Sequence, residues 1–456
     1  MIAANWRSRV ISIPRLAAET LLRAHLKPGE KLLTEISNET VVAERYLAEG
    51  TQGEIYLATL GGRQVVVKWY KPGWIKLDSG LRARLAAASR RDPPCARFLW
   101  PEEIVVSADR AGFGYYMPYR EPRFCDFDFV ISQQIKPSQR ALANASLQTA
   151  EGYLHLHAPG LCYIDVSAGN IALDPHSGDV RICDCDNVDV NGRGMLAKIL
   201  GTDGFMAPEI VQGLAYPNRL SDLWSLAVLL FWAFVKNHPL SGRLEYDCPV
   251  LTKADQYRLW GADARFIFDP DDASNAPVPG YNDAALTYWP IYPDFVRRLF
   301  TRAFTTGIRH PRQRVYENEW IEAMAQLRDC VATCPHCAAE NFYDDSRPQR
   351  CWNCREPLAP PRRLVLPGAT VVLEEGAALY PHHLDRTRIA DSSAPIARVV
   401  RHSKDRPDLL GLENGTGAPW QVTLPNGEQR TVNPGECVRV YPRLRIAFST
   451  TVADIL

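Results

Sequence analysis

A glycine-rich turn and a lysine in the first part of the chain could bind phosphate. The turn lies within AEGTQGEIYLA, residues 48–58, and contributes Gly50 and Gly53. After a Gly-Gly turn comes VVVKWY, in which Lys68 follows a β-branched run. Glycine lets backbone N–H groups approach phosphate oxygens, and a lysine in the next strand but one can reach the same oxygens. Taken alone, the segment also fits a β-hairpin with an ordinary strand lysine.

Three later segments supply the carboxylates and the amide that phosphoryl transfer requires. GLCYIDVSAGNIALD contains Asp165 and Asn170, VRICDCDNV contains Asp184, and GTDGFMAPEI contains the Ala-Pro-Glu of residues 207–209. One carboxylate can accept a hydroxyl proton, while an amide oxygen and a second carboxylate can ligate Mg²⁺. Phosphoryl transfer requires such groups, together with a lysine for the phosphates, because its catalysis is mainly positioning and charge neutralisation. The order of the segments is more informative than any one of them.

Two cysteine pairs have the spacing of a metal site. CPHC runs from Cys334 to Cys337 and CWNC from Cys351 to Cys354, with thirteen residues between the pairs. Two such knuckles complete a tetrahedral set of four thiolates that Zn²⁺ accepts. No position is left for water, so the sequence predicts a structural zinc, with His336 as a spectator. Two disulfides are the alternative.

The pattern of apolar and polar residues changes along the chain and indicates the elements that must position these side chains. Residues 29–119 alternate apolar and polar residues and indicate a small, mostly β lobe. Residues 137–328 have longer periods, typical of helices. A stiff linker, APPRR at 359–363, separates the cysteine pairs from short β-like runs at 364–456. We therefore expect several folding units in succession.

Composition excludes several classes of protein. The 456 residues suggest two to four folding units, and 46% apolar with 23% charged residues is typical of globular chains. The formal net charge is zero, so nothing indicates nucleic acid or an anionic membrane as a partner. The longest apolar run, residues 223–235, is too short to cross a bilayer and predicts a core helix. No secretory signal is recognisable, and the twelve cysteines fit reduced thiols in a cytoplasmic protein.

The ordered motifs resemble the eukaryotic-type protein kinase family over about residues 40–328. The resemblance extends to structural positions, since SDLWSLAVLLF is similar to the kinase core helix whose aspartate, here Asp222, braces the catalytic loop. The Pro-x-x-Arg ending at Arg314 resembles the late arginine that pairs with the glutamate of Ala-Pro-Glu, here Glu209. The resemblance implies an α+β, bilobal protein-kinase fold and a Ser/Thr protein kinase that uses ATP and Mg²⁺.

The resemblance assigns catalytic roles residue by residue. It implies that Lys68 holds the α- and β-phosphates and that Asp165 orients the attacking hydroxyl and accepts its proton. It implies that Asn170 and Asp184 ligate Mg²⁺. Thr202 stands where Ser/Thr-specific kinases keep a threonine beside the catalytic aspartate, which favours Ser/Thr over Tyr acceptors.

It also implies a nucleotide site. Gly50 and Gly53 would cover the phosphates. The segment FGYYMPY resembles the last strand of the β lobe, which places Met117 at the back of the adenine pocket and Tyr119 in the hinge.

The sequence departs from the kinase pattern at several positions. Ala48 replaces the first glycine of the loop, Tyr163-Ile164 replaces the His-Arg before the catalytic aspartate, and Cys185-Asp186 replaces the Phe-Gly after the metal aspartate. Asp186 fits either a solvated loop acid or a ligand of a second metal, and the sequence leaves this choice open.

The activation segment offers no acceptor for phosphorylation. Between Asp184 and Gly201 there is no Ser, Thr or Tyr, and Ile164 removes the arginine that commonly reads a phosphorylated loop. We therefore expect activity to be independent of activation-loop phosphorylation. The adjacent Thr202 is the residue at which this expectation can be tested.

The glutamate that should pair with Lys68 from the small-lobe helix is missing. The candidate stretch KLDSGLRARLAAASRR offers only Asp78, so either Asp78 reaches Lys68 or the pair is absent. A missing pair favours the alternative function, a nucleotide-binding pseudokinase scaffold. A small-molecule phosphotransferase of kinase-like fold is a third, weaker alternative.

A narrower resemblance concerns bacterial kinases with a C-terminal zinc ribbon. These are encoded beside a von Willebrand A-domain protein and a metal-dependent protein phosphatase in tellurite- and stress-linked gene sets. DVSAGNIALDP and ICDCDNV look like that group's versions of the motifs. The resemblance implies these two proteins as partners in bacterial signalling, in addition to a protein substrate.

The last segment is similar to the second half of a forkhead-associated domain, through the L-x-N-G-T of residues 412–416. Its phosphothreonine-reading features are missing: Tyr380-Pro381 stands near the expected Gly-Arg, and Ser392-Ser393 lacks the following His. A purely structural β domain is the alternative.

The predicted domains are an N-terminal extension (1–39), a kinase N-lobe (40–120), a kinase C-lobe (121–328), a zinc ribbon (330–358) and a forkhead-associated-like β-sandwich (364–456). We expect the last two to act as docking modules.

Overall fold

The computed structural model describes residues 26–190, 200–346, 348–389, 394–403, 406–449 and 451–456. Its first part is a closed, six-stranded antiparallel barrel in the order β1-β2-β3-β4-β6-β5. These strands are β1 (Lys31–Thr34), β2 (Thr40–Glu49), β3 (Gly53–Leu60), β4 (Arg63–Tyr70), β5 (Glu103–Ser107) and β6 (Gly114–Pro118). The helices α1 (Pro72–Leu77) and α2 (Leu81–Ser89) lie between β4 and β5.

The barrel begins earlier than the sequence predicted. Strand β1 falls inside the expected 1–39 extension, yet it pairs with both β2 and β5. Leu26 and Leu32 are buried in the same apolar core as Tyr56 and Val67. The start of the N-lobe at residue 40 is therefore wrong, because the alternation of four-residue β1 is too short to be distinguished from a turn.

The second part is mainly helical. Its helices are α3 (Phe127–Ile131), α4 (Gln139–His157), α5 (Pro208–Val211), α6 (Arg219–Val235), α7 (Arg243–Tyr246), α8 (Lys253–Tyr257), α9 (Asp283–Tyr288), α10 (Asp294–Phe304), α11 (Thr306–Arg309) and α12 (Glu317–Asp329). Its short strands are β7 (Cys125–Asp126), β8 (Leu161–Cys162), β9 (Ile171–Leu173), β10 (Val180–Ile182) and β11 (Asp189–Val190).

Helices α4 and α6 form the centre of this lobe. The run predicted as a core helix lies in α6, which is buried on nearly all sides. Asn218 begins α6 with a reciprocal capping box to Ser221, and Ser138 caps α4 by accepting from the backbone N–H of Ala141. These caps satisfy N–H groups that the first helical turn leaves unpaired.

The cysteine segment folds as two small hairpins against the helical lobe. They are formed by β12 (Val331–Thr333) with β13 (Glu340–Phe342), and by β14 (Gln349–Arg350) with β15 (Pro357–Leu358). Glu340 accepts a hydrogen bond from the backbone N–H of Gln139 at the start of α4, and the rings of Phe342 and Tyr292 lie 5.3 Å apart. The hairpins are therefore docked on the lobe.

The last part contains two antiparallel sheets over one apolar core. The strands are β16 (Arg363–Leu366), β17 (Ala369–Val372), β18 (Ala378–Leu379), β19 (Ala397–Ser403), β20 (Arg406–Asn414), β21 (Trp420–Thr423), β22 (Gln429–Val432), β23 (Cys437–Arg439), β24 (Arg445–Ala447) and β25 (Val452–Ile455), with helix α13 at Pro381–Leu384. The sheet orders are β17-β16-β25-β24-β21-β22 and β18-β19-β20-β23. A two-sheet β unit is present, while its likeness to a forkhead-associated domain stays a prediction. Ser392 and Ser393 lie outside the described residues.

A buried charge cluster joins α12 to the β unit. The Asp329 carboxylate at the end of α12 accepts a hydrogen bond from His383 Nε2 in α13 at 2.7 Å and one from Arg328 Nε at 3.2 Å. Although burial opposes it, the charges of His383 and Arg328 hold the pKa of Asp329 well below its usual range. The Arg328 guanidinium also lies 4.0 Å from the ring centre of Tyr380. In the described part of the chain, no helix is long and apolar enough to span a membrane.

Candidate functional site

The predicted catalytic loop is held together by direct hydrogen bonds. Thr202 Oγ1 donates to Asp165 Oδ1 at 2.6 Å, and Asn170 Nδ2 donates to the backbone carbonyl of Asp165 at 2.9 Å and to its Oδ2 at 3.3 Å. Burial raises the pKa of Asp165, although both hydrogen bonds act in the opposite direction. Asn170 and Thr202, predicted from two separate motifs, therefore meet at the Asp165 carboxylate.

Asp222 in α6 fixes the backbone just before Asp165. Its carboxylate accepts from the N–H groups of Tyr163 at 2.6 Å and Ile164 at 3.1 Å, and it lies 3.0 Å from His157 Nε2. Ile164 adopts a positive φ of 74°, which is strained for a β-branched residue. The bonds to Asp222 hold this conformation, in agreement with the bracing role that the sequence suggested.

Lys68 is buried beneath the glycine-rich turn. Strand β4 pairs with β3 and β6, and only 4% of Lys68 is exposed. Its Nζ donates to Gln52 Oε1 at 2.8 Å, lies 2.9 Å from Asp186 Oδ2 and forms an ion pair with Asp184. Burial by itself lowers the pKa of Lys68, but the charges of Asp184 and Asp186 raise it above its ordinary value.

A tight turn directs alternate side chains of residues 184–186 in opposite directions. Asp184 has a left-handed φ of 53°, after which residues 185–187 form one turn of 3₁₀ helix. Asp184 and Asp186 both face Lys68, whereas Cys185 is buried in the core of the helical lobe. Burial and the nearby Asp186 raise the pKa of Asp184. The pKa of Asp186 is lowered, since Lys68 and Tyr70 outweigh its burial.

The structure answers two questions that the sequence left open. Asp78 does not reach Lys68; its carboxylate is bound by Arg84 at 2.5 and 3.1 Å. The expected helix pair is therefore absent. Asp186 is not a solvated acid, since it is 1% exposed and accepts a hydrogen bond from the Tyr70 hydroxyl. Spacing could not show this burial, because it depends on how β4 and the 184–187 turn pack together.

The glycine-rich turn lies close to β4. A side chain at Gly53 would place its Cβ 2.5 Å from the Trp69 carbonyl oxygen, so only glycine fits there. Lys71 Nζ donates to the Gly50 carbonyl at 2.8 Å, which ties the turn to the end of β4. The turn also directs Gln52 inward to Lys68.

The residues predicted to contact adenine lie at the end of β6. Met117 is 8% exposed and pairs with Val66 of β4, and both belong to one apolar cluster. Tyr119, Leu47 and Cys183 pack against this cluster and are partly exposed. An apolar surface therefore lies beside the Lys68 site, as a planar base requires.

The Ala-Pro-Glu segment is anchored as expected. Arg314 is 1% exposed, and its guanidinium donates to the two oxygens of Glu209 at 2.8 and 2.7 Å. It also donates to the Leu220 and Gly307 carbonyl oxygens. Residues 191–199, which make up more than half of the hydroxyl-free stretch between Asp184 and Gly201, lie outside the described residues, so independence from activation-loop phosphorylation stays a prediction.

The four cysteines converge. Cys334 and Cys354 sulfurs are 3.7 Å apart, those of Cys337 and Cys351 are 3.6 Å apart, and all four lie within 4.8 Å of one another. Zn–S bonds of about 2.3 Å in a tetrahedron require sulfurs about 3.8 Å apart. None of the four is in a disulfide, and the exposed His336 is outside the cluster. This donor set fits zinc.

Each cysteine pair forms the same backbone knuckle. The N–H of Ala338 donates to the Cys334 carbonyl and that of Arg355 to the Cys351 carbonyl, both at 2.9 Å. Ala338 and Arg355 both have positive φ values, 59° and 66°. The repeated strain is consistent with turns shaped to present two thiolates each.

The site also contains residues that sequence reasoning missed. The sequence pattern does not indicate Gln52 or Tyr70, and it leaves the environment of Asp186 open. The sequence did carry a signal for Asp186. It stands two residues after Asp184, and the small-lobe helix has no acid to pair with Lys68, so a nearby acid could take that role. No comparable sequence signal marks Gln52 or Tyr70.

Comparison with known proteins places part of this site in a known domain. Residues 116–259 match the protein kinase domain. The chain is 26% identical over 238 residues to the probable serine/threonine-protein kinase gdt4 of Dictyostelium discoideum, covering 51% of this chain and 14% of that protein. It is 24% identical over 216 residues to the serine/threonine-protein kinase ppk6 of Schizosaccharomyces pombe, covering 45% and 27%.

The sequence identity is higher over a shorter segment of the chain. The chain is 35% identical over 106 residues to the protein kinase C delta type of Mus musculus, covering 22% of this chain and 15% of that protein. The chain therefore spans only a minor part of the length of these relatives. Residues 116–259 of this α+β, two-lobed arrangement are therefore similar to a protein kinase domain, and these relatives are named as protein kinases.

Proposed function

We propose that the chain is an ATP- and Mg²⁺-dependent serine/threonine protein kinase that transfers the γ-phosphate to protein hydroxyls. The observation that carries the proposal is the meeting of Asp165, Asn170 and Thr202 in one hydrogen-bonded loop. Lys68 and Asp184 form an ion pair in the same cleft. Together these side chains would supply the proton acceptor, the Mg²⁺ ligands and the phosphate-binding lysine of phosphoryl transfer.

Asp165 is the proton acceptor in this proposal. Thr202 occupies one of its oxygens and Asn170 contacts the other, so the carboxylate is held in one orientation. Its raised pKa makes it a better base for a hydroxyl proton than an exposed aspartate. A hydroxyl placed against it would be both oriented and deprotonated by the same group.

The donor set in the cleft fits Mg²⁺ and a nucleotide. Asn170 uses its Nδ2 toward Asp165, which leaves its Oδ1 as a hard oxygen ligand for the metal, together with Asp184. Lys68 would hold phosphate oxygens, under Gly50 and Gly53, and Met117 and Tyr119 would contact the base. When bound, Mg²⁺·ATP supplies the transferable phosphoryl group and neutralises its charge.

A pseudokinase scaffold is the second candidate. One observation favours it: helix α2 brings no carboxylate to Lys68, because Asp78 is bound to Arg84. The buried Glu209–Arg314 pair favours a protein kinase over a small-molecule phosphotransferase, since this pair belongs to the protein-kinase pattern.

The deciding experiment measures phosphate transfer from labelled ATP with Mg²⁺ to a generic basic protein. Asp165→Ala and Asp184→Ala are each expected to lower the rate by about 10²-fold or more. Asp271→Ala removes an exposed acid of the same lobe and serves as the control, with an unchanged rate. No transfer by the wild type, together with an Mg²⁺·ATP-induced rise in melting temperature that Asp184→Ala abolishes, would instead establish the pseudokinase.

The finer assignments are proposals of the same kind. We propose a cytoplasmic bacterial enzyme of the zinc-ribbon group, acting with a von Willebrand A-domain protein and a metal-dependent phosphatase in stress signalling. Residues 330–358 would be the zinc ribbon, and residues 364–456 a forkhead-associated-like docking module. The resemblances in DVSAGNIALDP, ICDCDNV and residues 412–416 support these proposals.

A further inference from the structure

The buried amine of Lys68 needs a permanent counter-charge. Its side chain is 6% exposed, and an unpaired charge at such a depth is strongly destabilising. Helix α2, Leu81–Ser89, contains no acid, and the neighbouring Asp78 is occupied by Arg84. The compensation must therefore come from outside the helix that packs beside the barrel.

Two carboxylates face Lys68, and they differ in exposure. The Asp184 side chain is 30% exposed and opens to the cleft, whereas that of Asp186 is 0% exposed. Asp184 is also the residue proposed to ligate Mg²⁺. A carboxylate that turns toward a metal cannot also be the fixed partner of Lys68, so Asp186 is the one that can remain.

Asp186 is itself held in place. Its Oδ2 lies 2.9 Å from Lys68 Nζ and accepts from the Tyr70 hydroxyl. Tyr70 is fully buried, two residues after Lys68 on β4, so the lysine and the hydroxyl come from one strand. On the other side, the burial of Cys185 in the helical lobe anchors the turn that carries Asp186.

We propose that Asp186, braced by Tyr70, is the positioning residue for Lys68 and takes the place of the missing helix carboxylate. The inference rests on the proposed function for its catalytic consequence. The position of Lys68 is then set by the 184–187 turn and not by α2. A displacement of α2, unlike a displacement of this turn, leaves the lysine in place.

A double-mutant cycle on stability tests the pairing without any catalysis. Asp186→Asn removes the fully buried partner of Lys68 and leaves the partly exposed Asp184 as its counter-charge, so it is expected to lower the melting temperature by about 5–10 °C. Lys68→Met combined with Asp186→Asn is expected to recover most of this loss, because the lysine charge that had lost its buried partner is gone. Lys68→Met combined with Asp78→Asn is the matched control, and its effects should be additive.

The activity arm separates positioning from folding. Asp186→Asn is expected to lower kcat by about 10- to 100-fold, and Tyr70→Phe by about 2- to 10-fold, with Asp78→Asn within about threefold of the wild type. Asp186→Glu should restore part of kcat if a carboxylate is what matters.

The outcomes are distinguishable. The inference is overturned if the changes in melting temperature caused by Lys68→Met and Asp186→Asn are additive in the double variant. It is also overturned if Asp186→Asn and Asp78→Asn lower kcat equally. If the wild type transfers no phosphate, the proposed function fails, and the stability cycle alone decides whether Asp186 is the partner of Lys68.

Discussion

The cysteine ribbon, residues 331–358 with their four converging cysteines, and the cleft around Lys68 are assembled in opposite ways. The four sulfurs come from 21 consecutive residues, and each pair is shaped by a local turn with the same backbone hydrogen bond. The cleft gathers its side chains from two distant parts of the chain, which contribute Gln52 and Lys68 and then Asp165, Asp186 and Thr202. A locally encoded site can be predicted with its geometry, whereas a site gathered by the fold can be predicted only in its members.

The largest expected effect concerns the local site. We predict about one zinc ion per chain, and we expect Cys351→Ser to abolish its binding because only three thiolates remain. The effect should be large, since a structural zinc contributes about 10 kcal/mol of folding free energy in comparable domains. The exposed Cys437→Ser is the control and should retain the metal. Metal analysis and thiol titration check this. No zinc and no free thiols among the four would instead establish two disulfides.

The same experiment sharpens the comparison of the two sites. The ribbon is linked to the catalytic lobe through α4 and Tyr292 and has no described contact with Lys68. Zinc removal should therefore leave the Mg²⁺·ATP-induced rise in melting temperature in place. Its disappearance would show that the local site supports the distant one.

A smaller effect concerns the charge network behind the catalytic loop. Burial would raise the pKa of Glu317, but hydrogen bonds from His157 and Arg219 lower it to about 2. A depressed folded-state pKa gives stability that is present above about pH 4.5 and is lost as the pH falls toward 2. The expected contribution is about 3 kcal/mol.

The check is the pH dependence of the melting temperature of wild type and Glu317→Gln. The wild type should be more stable at pH 6, and the difference should shrink progressively between about pH 4.5 and pH 3. Comparing the two proteins at each pH cancels the contributions of groups that they share. A difference that stays constant with pH would mean that Glu317 is not held by its cationic neighbours.

The smallest expected effect concerns Gln52. Its Oε1 accepts from Lys68 Nζ at 2.8 Å, so it competes with phosphate oxygens for the lysine. Gln52→Ala is expected to lower the KM for ATP by about two- to fivefold, the equivalent of one net hydrogen bond. Thr51→Ala, at the exposed tip of the turn, is the control. A raised KM would mean that Gln52 helps to shape the site.

Much of the candidate site could be predicted because its residue types lie at fixed spacings along short segments. Asp165 and Asn170 belong to one loop, and Glu209 and Arg314 belong to motifs whose pairing the structure contains. The predicted start of the N-lobe at residue 40 was wrong. Strand β1 is too short to show an alternating apolar pattern, and only its pairing with β2 and β5 defines it. The sequence left the environment of Asp186 open, because burial is a property of packing.

The sequence by itself determined the order of the folding units, the residues able to handle phosphate and Mg²⁺, and the four thiolates. Each of these depends on side-chain chemistry and on short-range spacing. Only the tertiary structure decided which acid neutralises Lys68, because the choice between Asp78 and Asp186 depends on distance and desolvation. Arg84 of α2 binds Asp78, which lies just before that helix. The 184–187 turn packs against β4 and buries Asp186 against Lys68 and Tyr70.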